Sequence, residues 1–143
     1  MKTKIPLWIN ILQGLLILIM LSQVYLFFID HEAVLASGIT LQTVSDYNLA
    51  YEFGARTLTM AMVSIIIMIS QDVKLFLIMF LMNVLREGFE TIIDPLFPLL
   101  NAPVSPTMDF IMHIIIVGIE LLAFITLYTL YKSSKKSVAD HTH

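Results

Sequence analysis

The chain contains no cysteine, which removes disulfides, thiolate metal sites and cysteine nucleophiles together. It is also poor in charge. Only 13% of its 143 residues are Asp, Glu, Lys or Arg, where a soluble domain carries about 25%. There is no basic patch interleaved with aromatics, so no nucleic-acid partner is expected. Equally missing are a Gly-rich phosphate loop, an HExxH, a GxSxG and a GxxxG pair. No pair of broken hydrophobic segments suggests a transporter repeat. No cofactor is expected, and no metal.

What is present is apolar sequence. Hydrophobic residues make up 58% of the chain and the mean hydropathy is +0.87. Such a composition cannot cover a soluble domain with polar surface. It predicts an all-α integral membrane protein, a single domain over residues 1–143. Four segments approach the roughly 20 residues that a bilayer core requires. They lie at about 6–29, 47–70, 73–97 and 107–131 and are followed by a polar, frayed tail at 132–143. The start, with Lys2 and Lys4 before an apolar run, resembles a signal peptide. The run is longer than a typical h-region of about 7–15 residues and no small-x-small site follows Phe28. It is therefore expected to be retained as the first membrane helix.

Local signals support these limits. Pro6 suits the first turn of the first helix, and Asp72 can cap the third. Pro95 and Pro98 are expected to stop the third, and Ser105–Pro106 reads as N-cap and first residue of the fourth. Lys2, Lys4, Lys74, Lys132, Lys135 and Lys136 flank the membrane at three places that lie on one side of a four-span chain. The positive-inside rule then puts both termini and the QDVK turn in the cytoplasm. Trp8, Tyr47, Tyr51, Tyr128 and Tyr131 fit an interfacial belt. Asn10 and Gln13 are expected to make hydrogen bonds between helices, His141 and His143 to belong to the tail.

The polar residues are arranged in stripes. At about 100° per residue, Asn83, Arg86, Glu87, Glu90 and Asp94 occupy one arc of the third helix. Asn48, Glu52 and Arg56 share a stripe on the second helix, and Asp109, His113 and Glu120 on the fourth. Charges facing lipid cost several kcal/mol, roughly, so the stripes should face one another. At about 1.5 Å per residue they meet in the outer half of the membrane. The inner half, around 65–69, 75–82 and 121–128, is apolar. The expected shape is a cup, open outward and closed inward, with Asp30, His31 and Glu32 at its rim.

The cup holds Arg56 and Arg86 against Glu52, Glu87, Glu90, Asp94, Asp109 and Glu120. Spacing suggests the i,i+4 pairs Glu52–Arg56 and Arg86–Glu90. The same arginines could clamp an anionic group. Asp109 and His113, also i,i+4, suit a shared metal, an acid orienting a base, or a plain hydrogen bond. A metal would need Glu90 or Asp94 as well. Glu120 is expected to hold a proton or to pair across to Arg86 or Arg56.

FGARTLTMAM (53–62), the QDVK turn and LREGFETIIDPLF (85–97) resemble the DoxX-like group of small four-helix bacterial membrane proteins. Those carry an Ala-Arg pair early in the second helix and an Arg followed by acids late in the third. The likeness spans about residues 48–98. It implies a four-span fold and the bacterial inner membrane, and implies little about activity. Glu87, Glu90 and Asp94 together, and His113 with Glu120, go beyond the pattern. A more distant likeness is to sterol isomerase-like bundles, which also place acids and a histidine in a lipid-accessible cavity.

The expected function is binding of a small ligand in the cup, either a cationic or hydrogen-bonding amphiphile or a proton-linked ion. Its binding residues are Glu52, Arg56, Asn83, Arg86, Glu87, Glu90, Asp94, Asp109, His113 and Glu120. One alternative is a membrane-embedded enzyme doing acid–base chemistry on a lipid or isoprenoid, with Glu120, His113 and Asp109 as candidates. The other is an accessory subunit whose stripes are assembly glue. Expected partners are the bilayer, a small amphiphile and a second copy, since a chain of this size must dimerise to build a wide path.

Overall fold

The structure, a computed structural model, describes residues 4–97 and 105–140, with side chains through Lys135. Lys2, Pro98, His141 and His143, and the side chain of Lys136, lie outside the described residues. Among the described residues the fold is all-α, with five helices: α1 (Leu7–Phe28), α2 (His31–Ala36), α3 (Val44–Ser70), α4 (Val73–Leu96) and α5 (Pro106–Asp140).

Among the described residues, α1, α3 and α5 are long and apolar enough to cross a membrane. The third apolar segment, expected at 73–97, is not among them. Helix α4 has the length, 24 residues, or about 36 Å at 1.5 Å per residue. It also carries Lys74, Arg86, Glu87, Glu90 and Asp94, which take it out of that class by composition. The exterior suits lipid: Leu7, Leu18, Ile66, Ile69, Phe89 and Leu122 are among many large apolar side chains left exposed.

The helix limits follow from caps. Asp72 accepts from the backbone N–H groups of Lys74 (2.8 Å) and Leu75 (3.4 Å) and starts α4 as expected. Ser105 Oγ accepts from the Met108 N–H at 3.3 Å, with Pro106 as the first residue of α5. Pro6 is the N-cap residue of α1 rather than part of its first turn. Pro95 does not stop α4; it sits in the last turn, which runs on to Leu96. Helix α3 begins at Val44, earlier than expected, because Thr43 and Asp46 form a reciprocal capping box. The connection after α1 holds a helix of its own, α2, capped by Asp30 at the Ala33 N–H. The expected frayed tail is instead a continuation of α5 as far as Asp140.

Packing is closest between α1 and α3 and between α4 and α5; α3 and α4 approach each other far less. Gly54 lets α3 come close to α1, since a Cβ there would lie 3.1 Å from Phe27 Cβ and 2.7 Å from the Phe28 ring. The two pairs are tied together at the end that bears the α3–α4 turn. There Ile9, Leu16, Ile67, Phe76, Phe80 and Leu127 belong to one buried cluster drawn from all four long helices. At the same end Gln71, in left-handed backbone conformation, donates from Nε2 to Asn10 Oδ1 at 2.8 Å. Gln13 does not follow Asn10: it is fully buried and both its amide atoms lack a partner among the described residues. Toward the opposite end the two pairs separate.

Candidate functional site

The separation leaves a cleft of about 900 Å³ between the pairs. One wall is α4 and α5, with Arg86, Glu90, Asp94, Asp109 and His113. The other comes from α1 and α3, with Phe27, Leu49, Ala50, Phe53 and Met60, and with Arg56, Thr57 and Asp46 interspersed. Residues Ser37, Ile39 and Thr40, from the segment between α1 and α3, also border it. Helical spacing explains the polar wall. Residues 83, 86, 87, 90 and 94 recur every three or four positions on α4, and 109 and 113 are one turn apart on α5. Polar stripes from α3, α4 and α5 thus contribute to one cleft.

The ten residues expected to bind do not all reach it. Arg56, Arg86, Glu90, Asp94, Asp109 and His113 line the cleft; Glu52, Asn83, Glu87 and Glu120 are outside its lining. On α3, Asn48 Nδ2 donates to Glu52 Oε1 at 3.2 Å and Arg56 donates to Glu52 Oε2 at 3.0 Å. This is the expected i,i+4 pair, but it is open, with side chains 77% and 52% exposed. Asn83 is buried on α4.

The second expected pair is replaced. Arg86 bonds the carboxylate of its neighbour Glu87 rather than that of Glu90. Glu87 Oε1 takes the guanidinium, while Oε2 lies 3.0 Å from His113 Nδ1 on α5. Glu87 is buried and joins the two helices. His113 Nε2 lies near two further acids, with Asp94 Oδ2 at 3.2 Å and Asp109 Oδ1 at 3.8 Å. The ring is therefore held between three carboxylates, and its nearest two are cross-helix partners rather than the i,i+4 partner Asp109. Arg86 Nε is buried with no partner among the described residues.

Glu120 is fully buried, and neither carboxylate oxygen has a hydrogen-bond partner among the described residues. The expected pairing across to Arg86 or Arg56 does not form among the described residues. Asp30, His31 and Glu32 are not part of the cleft lining either. His31 packs instead against Tyr47 and Tyr51, with ring centroids 5.5 and 5.7 Å apart.

Two sets of three side chains hold donor atoms within 4.8 Å of one another: Glu87, Glu90 and His113, and Asp94, Asp109 and His113. The sequence points to no metal, since one histidine alone is a thin signal; the fold supplies the acids that such a site requires. Sequence reasoning also missed the apolar wall. Its signal was available in Phe53, Thr57 and Met60, which lie on the same side of α3 at helical spacing.

No family model matches the chain, and no curated protein or solved structure is similar to it. The DoxX-like resemblance gains no support there.

Proposed function

We propose that the chain is a four-span membrane protein, both termini cytoplasmic, whose outward cleft binds a small amphiphile with a cationic or hydrogen-bonding head. The observation that carries this is the two-faced cleft. Its volume, about 900 Å³, falls within the roughly 300–1,000 Å³ of small-molecule sites. The acidic wall of Glu90, Asp94 and Asp109 suits a cationic or donor-rich head, with Arg86 available to an acceptor on the same ligand. Phe27, Leu49, Phe53 and Met60 offer the tail an apolar bed. Stripes that served only as glue would close on one another, and the cleft speaks against that reading. Counting α4 as a span rests on its length, its close packing on α5 and the cover α5 gives its charges. The DoxX-like resemblance in residues 53–62 and 85–97 is compatible with the same four-span frame.

The placement of His113 favours a second reading, acid–base chemistry on a lipid or isoprenoid. An imidazole between Glu87 and Asp94, bordering a cleft with an apolar wall, can take or give a proton at a bound substrate. Glu120 has no such access, so His113 is the group that this reading requires.

Native mass spectrometry of the detergent-extracted chain, beside Arg86→Ala and Asp94→Asn variants of confirmed fold, tests the binding reading. A co-purifying small molecule that both variants lose supports the cleft as its site. A clean apo mass for all three, persisting after incubation with a panel of membrane lipids and cationic amphiphiles, sinks it.

A further inference from the structure

We infer that His113, Asp94 and Asp109 form a binding site for a divalent first-row transition metal ion of the zinc class, with Glu87 as the carboxylate that orients the imidazole. This deepens the cleft reading above and rests on it, since two of the three ligands are acids of the proposed binding wall.

The first argument is the orientation of the ring. Glu87 is buried, and its Oε2 lies 3.0 Å from His113 Nδ1. A carboxylate can only accept at that distance, so Nδ1 carries the hydrogen. In a neutral ring Nε2 then presents its lone pair. Asp94 Oδ2 lies 3.2 Å and Asp109 Oδ1 3.8 Å from that nitrogen, and both are also acceptors, neither of them hydrogen-bonded to it. Three acceptors gathered within 4.8 Å repel one another unless a positive charge sits among them. A metal-bound histidine has this second-shell arrangement, its other N–H held by a carboxylate. Here that carboxylate is itself fixed by Arg86.

The second argument is metric. At metal–donor distances of about 2.0–2.2 Å, the donors around a tetrahedral centre are roughly 3.4 Å apart. The separations of 3.2 and 3.8 Å bracket that value, and the whole set lies within 4.8 Å. The third argument is charge. Arg86 and Glu87 neutralise each other, and the two aspartates bring a charge of −2 that a divalent ion cancels. One nitrogen and two carboxylates suit zinc, manganese or iron(II) better than calcium, which takes oxygen donors only. Three protein ligands leave a coordination position for water or for a ligand in the cleft. The alternative set with Glu87 and Glu90 is weaker, because Arg86 already occupies Glu87.

The competing explanation is a second proton on the ring, which would satisfy Nε2 without any metal. The experiment separates the two. The full chain, carrying His31→Ala, His141→Ala and His143→Ala to remove other imidazoles, is purified in detergent, stripped with a chelator and dialysed against Zn²⁺. Bound metal is counted by elemental analysis, Co²⁺ serves as an optical probe, and native mass spectra record small molecules alongside. One equivalent of metal is expected. His113→Ala should abolish it, Asp94→Asn and Asp109→Asn should each weaken it at least tenfold, and Glu87→Gln should weaken it about 10–100-fold while leaving the stoichiometry intact. The asparagine variants keep the test valid if His113→Ala fails to fold. Substoichiometric metal, or binding that survives His113→Ala, overturns the site. A co-purified amphiphile with no metal overturns the site and leaves the cleft reading standing; no metal, with an apo mass that persists through incubation with the lipid and amphiphile panel, overturns both.

Discussion

Replacing Glu120 by Met should stabilise the protein. The residue is fully buried on α5, and both its carboxylate oxygens are without partners. In either protonation state at least one polar atom is left unpaired. An unsatisfied buried polar group costs about 1–3 kcal/mol. The membrane-inserted unfolded chain finds partners too, which holds such gains nearer about 1–2 kcal/mol per group. Methionine has nearly the same length and volume, and a volume-conserving swap costs under about 1.5 kcal/mol. With a small swap cost, the net gain expected is about 1–2 kcal/mol at most, or a rise of roughly 2–8 °C in Tm for a chain of this size. The assay is thermal unfolding in detergent, followed by circular dichroism. Glu120→Gln is the control: it keeps two polar atoms in the same place and should remain within about 1 kcal/mol of the parent. A Met variant that melts lower than the parent, with the Gln variant unchanged, would refute the reasoning, because it would mean that the carboxyl group has a stabilising partner.

Gln13→Leu removes another fully buried side chain whose polar atoms find no partner among the described residues; a gain of about 1–2 kcal/mol is expected in the same melt, and a loss would reveal a hidden hydrogen bond. Asp72→Ala strips the acceptor from the Lys74 and Leu75 N–H groups and should cost about 1 kcal/mol, with Asp72→Asn recovering most of it. Glu52→Gln breaks an ion pair whose side chains are 77% and 52% exposed, so stability should change by less than about 0.5 kcal/mol. A drop of several degrees there would place the pair away from water and restore it to a structural role.

The elements legible in the sequence are those fixed by local chemistry. Asp72 at the head of α4 and Ser105–Pro106 at the head of α5 both do what their types do at a helix start. Stripe geometry was legible as well, because helical periodicity alone puts Arg86, Glu90 and Asp94 on the side that faces the cleft. Partner choice was not. Spacing favours Arg86 with Glu90, yet Glu87 is drawn toward His113 by the packing of α4 on α5, and the guanidinium follows it. That outcome depends on the rotation of two helices about each other, which no local pattern encodes. The early start of α3 had a visible signal, the T-x-x-D run of Thr43 to Asp46, whose reciprocal capping was overlooked. Helix α2 had only Asp30 as a cap to announce it.

Helix α4 concentrates these conflicts. It is the one long helix too charged to pass for a membrane span by composition, and it is also the helix that supplies Arg86, Glu90 and Asp94 to the cleft. Its charges fall into two groups. Arg86 and Glu87 are covered by α5 and by each other, and with His113 they account for the joint between the helices. Helix packing needs no more than that. Glu90 and Asp94, with Asp109 on the facing helix, are only partly buried, and no cation of α4 or α5 within the described residues forms an ion pair with any of them except His113. Acids placed in an apolar chain at a cost to insertion, and left over once the helix joint is complete, are not explained by folding. They are the groups that the proposed ligand, bringing positive charge or hydrogen-bond donors into the cleft, would meet.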